Sequence, residues 1–291
     1  MRRYAFVLAD VFTERAFGGN QLAVLPDARG LSDGEMQALA REFNFSETAF
    51  VLPPDDTAHT RRLRIFTPET ELPFAGHPTV GAAAVLVARE EARERLLLEE
   101  GVGLVTVDVS GTFARLTVTS PYEAPDHYPS VPAVAAALSL APEDIVETWY
   151  GGVGLRFCYV RVADRAAVDR AVLDRAAWRS GVVGGWSGSL YVFAGHLTDG
   201  GRLHARSFAA MLDGGEDPAT GSACAGLVAA LAQRGGCRAP SYTLRVDQGV
   251  AMGRPSDLEA VARTADGELA SVSVGGHTVL VGEGTITLPD A

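Results

Sequence analysis

Two stretches of this chain are long enough to be helices and carry no charge on any face. They are His77-Pro78-Thr79-Val80-Gly81-Ala82-Ala83-Ala84-Val85-Leu86-Val87-Ala88 and Pro218-Ala219-Thr220-Gly221-Ser222-Ala223-Cys224-Ala225-Gly226-Leu227-Val228-Ala229-Ala230-Leu231-Ala232. A helix that is apolar all round must be buried on every side. Both fall short of the roughly 20 residues that span a bilayer, so protein rather than lipid has to cover them. Their small residues let strands approach closely, and each helix is expected to lie inside a curved sheet. A chain of 291 residues, at roughly 150 per domain, has room for two such arrangements.

The flanking segments supply the sheets. Residues 61–67 alternate Leu63 and Ile65 against Arg62 and Arg64, the period of a half-buried strand. Residues 104–109, 114–119, 157–162, 242–246 and 269–274 are also predicted strands, and closely spaced turn residues point to antiparallel pairing. Ser32-Asp33-Gly34-Glu35 is a capping box opening an amphipathic helix through about Phe43. Segments 131–140 and 165–179 are predicted surface helices. The expected class is α+β, with two similar domains, each a curved, mostly antiparallel sheet wrapped around a central buried helix. Thr79 and Thr220 occupy like positions in the two apolar helices, 141 residues apart and near half the chain, which reads as a weak internal duplication. Periodicity lapses over residues 120–130. Domains are therefore expected at 1–122 and 123–277, with a strand at about 278–291 returning to the first.

Composition narrows the chemistry. The balance of 25 basic and 36 acidic residues, net −11, disfavours nucleic acid and anionic membrane as partners. All 25 basic residues are arginine. Without lysine there is no Schiff-base amine, no pyridoxal phosphate site of the usual kind and no Walker-type phosphate loop. Cys158, Cys224 and Cys237 form neither a disulfide framework nor a metal knuckle, as expected in a reducing cytosol. Residues 1–7 lack the apolar stretch of a signal peptide, so a cytoplasmic location is expected. Gly151-Gly152-Val153-Gly154 reads as a strand-flanking turn rather than a dinucleotide loop, and the histidines lack metal-ligand spacing.

Each apolar helix begins at a loop of small and polar residues, 74–79 and 213–222. A helix start offers unpaired N–H groups and a partial positive charge. Two such starts facing each other across a domain cleft would suit a carboxylate or a developing enolate. Asp217-Pro218 is also an ordinary N-cap followed by proline, and both descriptions remain open. His77 is notable only because a titratable ring opens the first helix. Glu47 is more pointed. In Phe45-Ser46-Glu47-Thr48-Ala49-Phe50-Val51, strand alternation puts Glu47 on one side with Phe45, Ala49 and Val51. A carboxyl on an apolar face has a raised pKa, as a general acid–base near pH 7 requires; a partly buried glutamate bonded to a neighbouring backbone or arginine would have the same pattern.

Taken together, these segments resemble the PhzF family, the isomerases of phenazine biosynthesis and their relatives, which share the diaminopimelate epimerase fold. The matching stretches are Asp10-Val11-Phe12-Thr13 with Gly19-Asn20-Gln21-Leu22-Ala23-Val24, then Asn44 to Phe50, and Phe66-Thr67-Pro68 leading to Gly76-His77-Pro78-Thr79. Glu216-Asp217-Pro218-Ala219-Thr220-Gly221-Ser222-Ala223 and Gln248-Gly249 leading to Gly253-Arg254-Pro255-Ser256 complete them. The resemblance implies an active site in the cleft between two domains, a homodimer, and no cofactor or metal. It places the family's catalytic glutamate, histidine, aspartate and serine on Glu47, His77, Asp217 and Ser222, with Asn20, Gly76, Thr79, Thr220 and Gly221 binding substrate. One departure is Ala210, where relatives usually carry proline.

The expected activity is a cofactor-free isomerisation. Glu47 would move a proton within a small unsaturated amino or hydroxy acid, with trans-2,3-dihydro-3-hydroxyanthranilate implied by the resemblance and related diene acids equally open. The epimerase relatives use two opposed cysteines; here the corresponding loops carry Gly76-His77 and Asp217-Pro218, which favours a single base. A non-catalytic small-acid binding protein and an amino-acid epimerase or racemase are the alternatives.

Overall fold

The computed structural model describes residues 1–209, 215–236 and 238–289. Ala210, Cys237 and the Asp213-Gly214 part of the second loop lie outside the described residues. The chain divides into two compact units, Met1–Val118 with Gly275–Ala291, and Thr119–Val274.

The first unit is a closed barrel around one helix. β1 (Arg2–Val11) pairs antiparallel with β2 (Asn20–Leu25), β2 parallel with β3 (Glu47–Leu52), and β3 antiparallel with β4 (Arg61–Phe66). β4 runs parallel to β6 (Arg95–Glu100), which continues antiparallel through β7 (Gly103–Ser110) to β8 (Phe113–Val118). β17 (Glu268–Leu288) pairs with both β8 and β1 and closes the ring. The short β5 (Glu71–Leu72) flanks β4. Inside lies α2 (Gly76–Ala88), packed against β1, β2, β3, β7 and β8. Outside, α1 (Asp33–Phe43) begins at the Ser32–Glu35 capping box and lays Met36, Leu39 and Ala40 on the barrel beside Leu25, Phe50 and Phe66.

In the second unit β10 (Ile145–Val153) pairs antiparallel with β11 (Leu155–Val162), β11 parallel with β12 (Leu190–Gly195), and β12 antiparallel with β13 (Gly201–Ala209). β13 runs parallel to β15 (Ser241–Gln248), which pairs antiparallel with β16 (Ser256–Ala265). β9 (Tyr122–Glu123) flanks β10, and β14 (Gly215–Asp217) flanks β13. This sheet wraps α6 (Gly221–Arg234), while α3 (Val131–Leu138), α4 (Arg165–Arg170) and α5 (Arg175–Gly181) carry Val134, Leu138, Val168 and Trp178 into a separate apolar layer.

Some sequence expectations need correcting. The pairing is mostly antiparallel, as expected, but β2–β3, β4–β6, β11–β12 and β13–β15 run parallel, each pair joined by a segment that contains a helix. Segment 165–179 is two helices, because Asp174 caps a new one with its carboxylate on the Ala176 and Ala177 N–H groups. Gly151 and Gly152 belong to β10, and only Gly154 (φ +77°) makes the turn.

Gly152 reflects how closely α6 is wrapped. A Cβ on Gly226 would overlap the Tyr159 hydroxyl, which donates to Ala223 O at 2.9 Å, and would lie 3.0 Å from Gly152 Cα. Gly226→Ala is therefore expected to be destabilising by about 1–3 kcal/mol through overpacking, despite the better helix propensity of alanine. Thermal unfolding followed by circular dichroism measures this; an unchanged or raised Tm would contradict it. No helix of the described residues is long and apolar enough to cross a membrane.

Candidate active site

Glu47 is the first residue of β3, opposite Leu22 of the parallel β2 and followed by the fully buried Ala49 and Phe50. It is itself only 7% exposed. Loss of water pushes its carboxyl up to about 7, with the Ser46 hydroxyl acting in the opposite direction. Its Oε2 has no hydrogen-bond partner among the described residues and lies 3.5 Å from His77 Nε2. The apolar-face expectation and the resemblance thus converge on one desolvated acid.

His77, 5% exposed, enters from the first turn of α2. Asn20 opens β2 directly after Gly19, whose φ of +61° and contact with the Val11 carbonyl leave no room for a Cβ. Asn20 Nδ2 lies 3.2 Å from His77 Nδ1, and Ser46 Oγ donates to Asn20 Oδ1 at 3.2 Å. An amide N–H donating to Nδ1 leaves the proton of a neutral ring on Nε2, the nitrogen facing Glu47. Ser46, Asn20 and His77 therefore form a relay that presents an N–H beside a carboxyl oxygen.

The helix starts differ in kind. Ser32, Ser130, Asp164 and Asp174 each cap α1, α3, α4 and α5 with a side-chain acceptor. Ala75 and Thr220, at the starts of α2 and α6, make no side-chain cap. The first-turn N–H groups of the two central helices, at Gly76 and at Gly221 and Ser222, are thus left to other acceptors.

Thr79 is fully buried, and its hydroxyl lies 2.8 Å from both Ala75 O and Glu100 Oε1. The side chain is engaged within the unit. In the second unit, the Thr220 hydroxyl donates to Asp217 Oδ2 at 2.6 Å and accepts from Gln248 Nε2 at 2.9 Å. Gln248 Nε2 also donates to Asp217 O at 2.7 Å, and Tyr191 donates to Gln248 Oε1 at 3.2 Å. Asp217 and Ser222 are half-buried at this helix start. Ser46 and Glu100 were not singled out in the sequence. Alternation in β6 would have revealed Glu100, since it shares the buried face of Leu96 and Leu98.

Among the described residues both cysteines, Cys158 and Cys224, are buried. Cys224 lies inside α6 against the Tyr191 hydroxyl at 3.3 Å, and burial pushes its thiol up to about 12. Among the described residues no group of three His, Cys, Asp or Glu side chains is placed to hold a metal ion.

Comparison with known proteins adds kinship to this geometry. Residues 9–284 match the family described as phenazine biosynthesis-like protein, PhzC-PhzF. An uncharacterised isomerase of Mesorhizobium japonicum is 38% identical over 98% of this chain and 99% of its own length. The trans-2,3-dihydro-3-hydroxyanthranilate isomerase of Pseudomonas aeruginosa is 34% identical, covering 98% of this chain and 99% of its own. The crystal structure of a PhzF-family phenazine biosynthesis protein from Bacillus anthracis superposes with a TM-score of 0.87 at 24% identity, over 99% of this chain and 100% of that one.

Proposed function

The chain belongs to the PhzC-PhzF family of phenazine biosynthesis-like proteins, and on that premise we propose that it is an isomerase that shifts a proton within a small unsaturated amino or hydroxy acid by general acid–base catalysis. The observation that carries this is the Glu47 carboxyl: buried, pushed up to about 7, with one oxygen unpartnered and 3.5 Å from a tautomer-fixed imidazole. As carboxylate, Glu47 takes a proton from an acidified carbon, and the electron pair delocalises through the conjugated system. The same acid then returns the proton to another carbon, so no electrons enter or leave. His77 Nε2–H donates to the substrate's amino or hydroxyl group and steadies the developing charge. For the second unit, the family resemblance assigns Asp217 to a polar group of the substrate, and Ser222 with the N–H groups following Thr220 to a substrate carboxylate. Positioning and electrostatics must supply whatever acid–base catalysis, roughly 10²–10⁴-fold, does not.

The relatives' name makes trans-2,3-dihydro-3-hydroxyanthranilate the first substrate to test. Incubated with it in D₂O, the protein is expected to yield product carrying deuterium at carbon, read by NMR. Ligand binding with neither product formed nor deuterium at carbon would favour a binding protein instead. Ser222→Ala is expected to raise KM about tenfold with kcat little changed, since it removes a hydrogen bond to a charged group in ground and transition state alike; an unchanged KM would remove Ser222 from substrate binding.

We also infer that the two units arose by duplication. Support comes from their strand pairings, which follow the same succession, antiparallel, parallel, antiparallel, parallel, antiparallel, with α2 and α6 each inserted before the second parallel partner.

A further inference from the structure

The Thr79 hydroxyl has one hydrogen and two oxygens at 2.8 Å, Ala75 O and Glu100 Oε1. It can donate to only one of them. If Glu100 were ionised, both neighbours would be acceptors competing for that hydrogen, and a buried charge would remain with its Oε2 unpartnered. If Glu100 is protonated, its O–H donates to Thr79 Oγ1 while Thr79 donates to Ala75 O, and both contacts are satisfied.

The second unit has the same arrangement with an amide in place of the acid. Gln248 ends β15 just before Gly249, as Glu100 ends β6 just before Gly101. Gln248 donates to Thr220 Oγ1 at 2.9 Å, and Thr220 donates onward to Asp217. A protonated glutamate and a glutamine have nearly the same shape and can offer the same donor. The two helix starts thus share one contact, a strand-end side chain on a threonine hydroxyl, Thr79–Glu100 and Thr220–Gln248, with Thr79 in the first turn of α2 and Thr220 just before the first turn of α6.

We propose that Glu100 is a positioning residue that acts as a neutral acid, donating to Thr79 and so fixing the first turn of α2 from which His77 reaches Glu47. The proposal rests on the assignment of Glu47 and His77 given above. Burial supports it, holding the Glu100 carboxyl up at about 8. The charged residues that line the groove between β4, β5 and β6 with Glu100 are Asp55, Arg62, Arg64, Glu71 and Glu99, of which Glu99 lies on the opposite face of β6. They pair among themselves or elsewhere: Arg62 with Asp55, Arg64 with Glu71 and Asp33, and Glu99 with His59. None has Glu100 as its ion-pair partner among the described residues.

The test uses the full-length protein and its Glu100→Gln and Glu100→Leu variants. In an infrared difference spectrum of wild type minus Glu100→Gln at pH 7, the carbonyl band of a protonated carboxylic acid is expected; a carboxylate signal in its place overturns the proposal. Imidazole ¹⁵N resonances of His77 are expected to keep their positions in Glu100→Gln and to move in Glu100→Leu. With trans-2,3-dihydro-3-hydroxyanthranilate as probe, kcat is expected to fall roughly tenfold or more in Glu100→Leu, KM changing little, and to be restored by Glu100→Gln. His77 resonances indifferent to Glu100→Leu, or Glu100→Gln as damaged as Glu100→Leu, would overturn it. Should Glu100→Leu fail to fold, the infrared band and the Glu100→Gln resonances still decide. Turnover retained by Glu47→Gln would instead remove the catalytic assignment, leaving the Glu100 band where it was.

Discussion

Glu47→Gln is expected to lower kcat by about 10³-fold or more while the protein stays folded. The amide has the shape of the acid and suits its apolar surroundings, so the barrel around α2 should be unaffected. What it cannot do is accept a proton from carbon, and removal of a positioned general base forfeits roughly the 10²–10⁴-fold such a group supplies. The substitution should affect the chemical step rather than binding, so KM should move little. Steady-state kinetics with the probe acid and deuterium incorporation in D₂O measure the loss, with far-ultraviolet circular dichroism as the control for folding. Wild-type turnover in a folded Glu47→Gln protein would remove the base.

The second large effect is on stability, and its sign follows from the same burial. The Glu47 carboxyl is held up at about 7 in the folded protein, against an ordinary value of 4.5. Between those values the native state holds a proton that the unfolded chain has lost, so stability decreases as pH rises. The stabilisation is fully present below about pH 4.5 and is gone above about pH 7. At 1.36 kcal/mol per pH unit it amounts to about 3 kcal/mol. Glu47→Gln lacks this dependence. Relative to wild type, the variant should therefore gain up to about 3 kcal/mol on going from pH 5 to pH 8, as read from urea unfolding at each pH. A constant difference between the two proteins, or one that shrinks as pH rises, would mean that the carboxyl is solvated.

Much of this was legible in the sequence because burial leaves a simple imprint. A helix without charge on any face has only one place to go, and residues 77–88 and 218–232 correspond closely to α2 and α6 at the centres of their units. Glu47 stood out because alternation placed a carboxyl among apolar side chains. The same rule would have exposed Glu100, but its strand ends in Glu99-Glu100, and paired acids suggest a solvated edge. The parallel pairings were not legible, since whether two strands run parallel depends on the connection between them rather than on either strand. Nor was the Ser46–Asn20–His77 relay: Asn20 and His77 are 57 residues apart and meet only because β2 and α2 pack together. The resemblance named Asn20 and His77 but not the hydrogen bond that fixes the ring.

The central claim concerns the state of a single carboxyl group, and the titration of the Glu47 side-chain carbon by ¹³C NMR, assigned by its loss in Glu47→Gln, tests it most directly. A midpoint near pH 7, matched by the acidic limb of the pH–rate profile, is the predicted result. A midpoint near the ordinary glutamate value of 4.5 would place the group in water and contradict its role as the buried base.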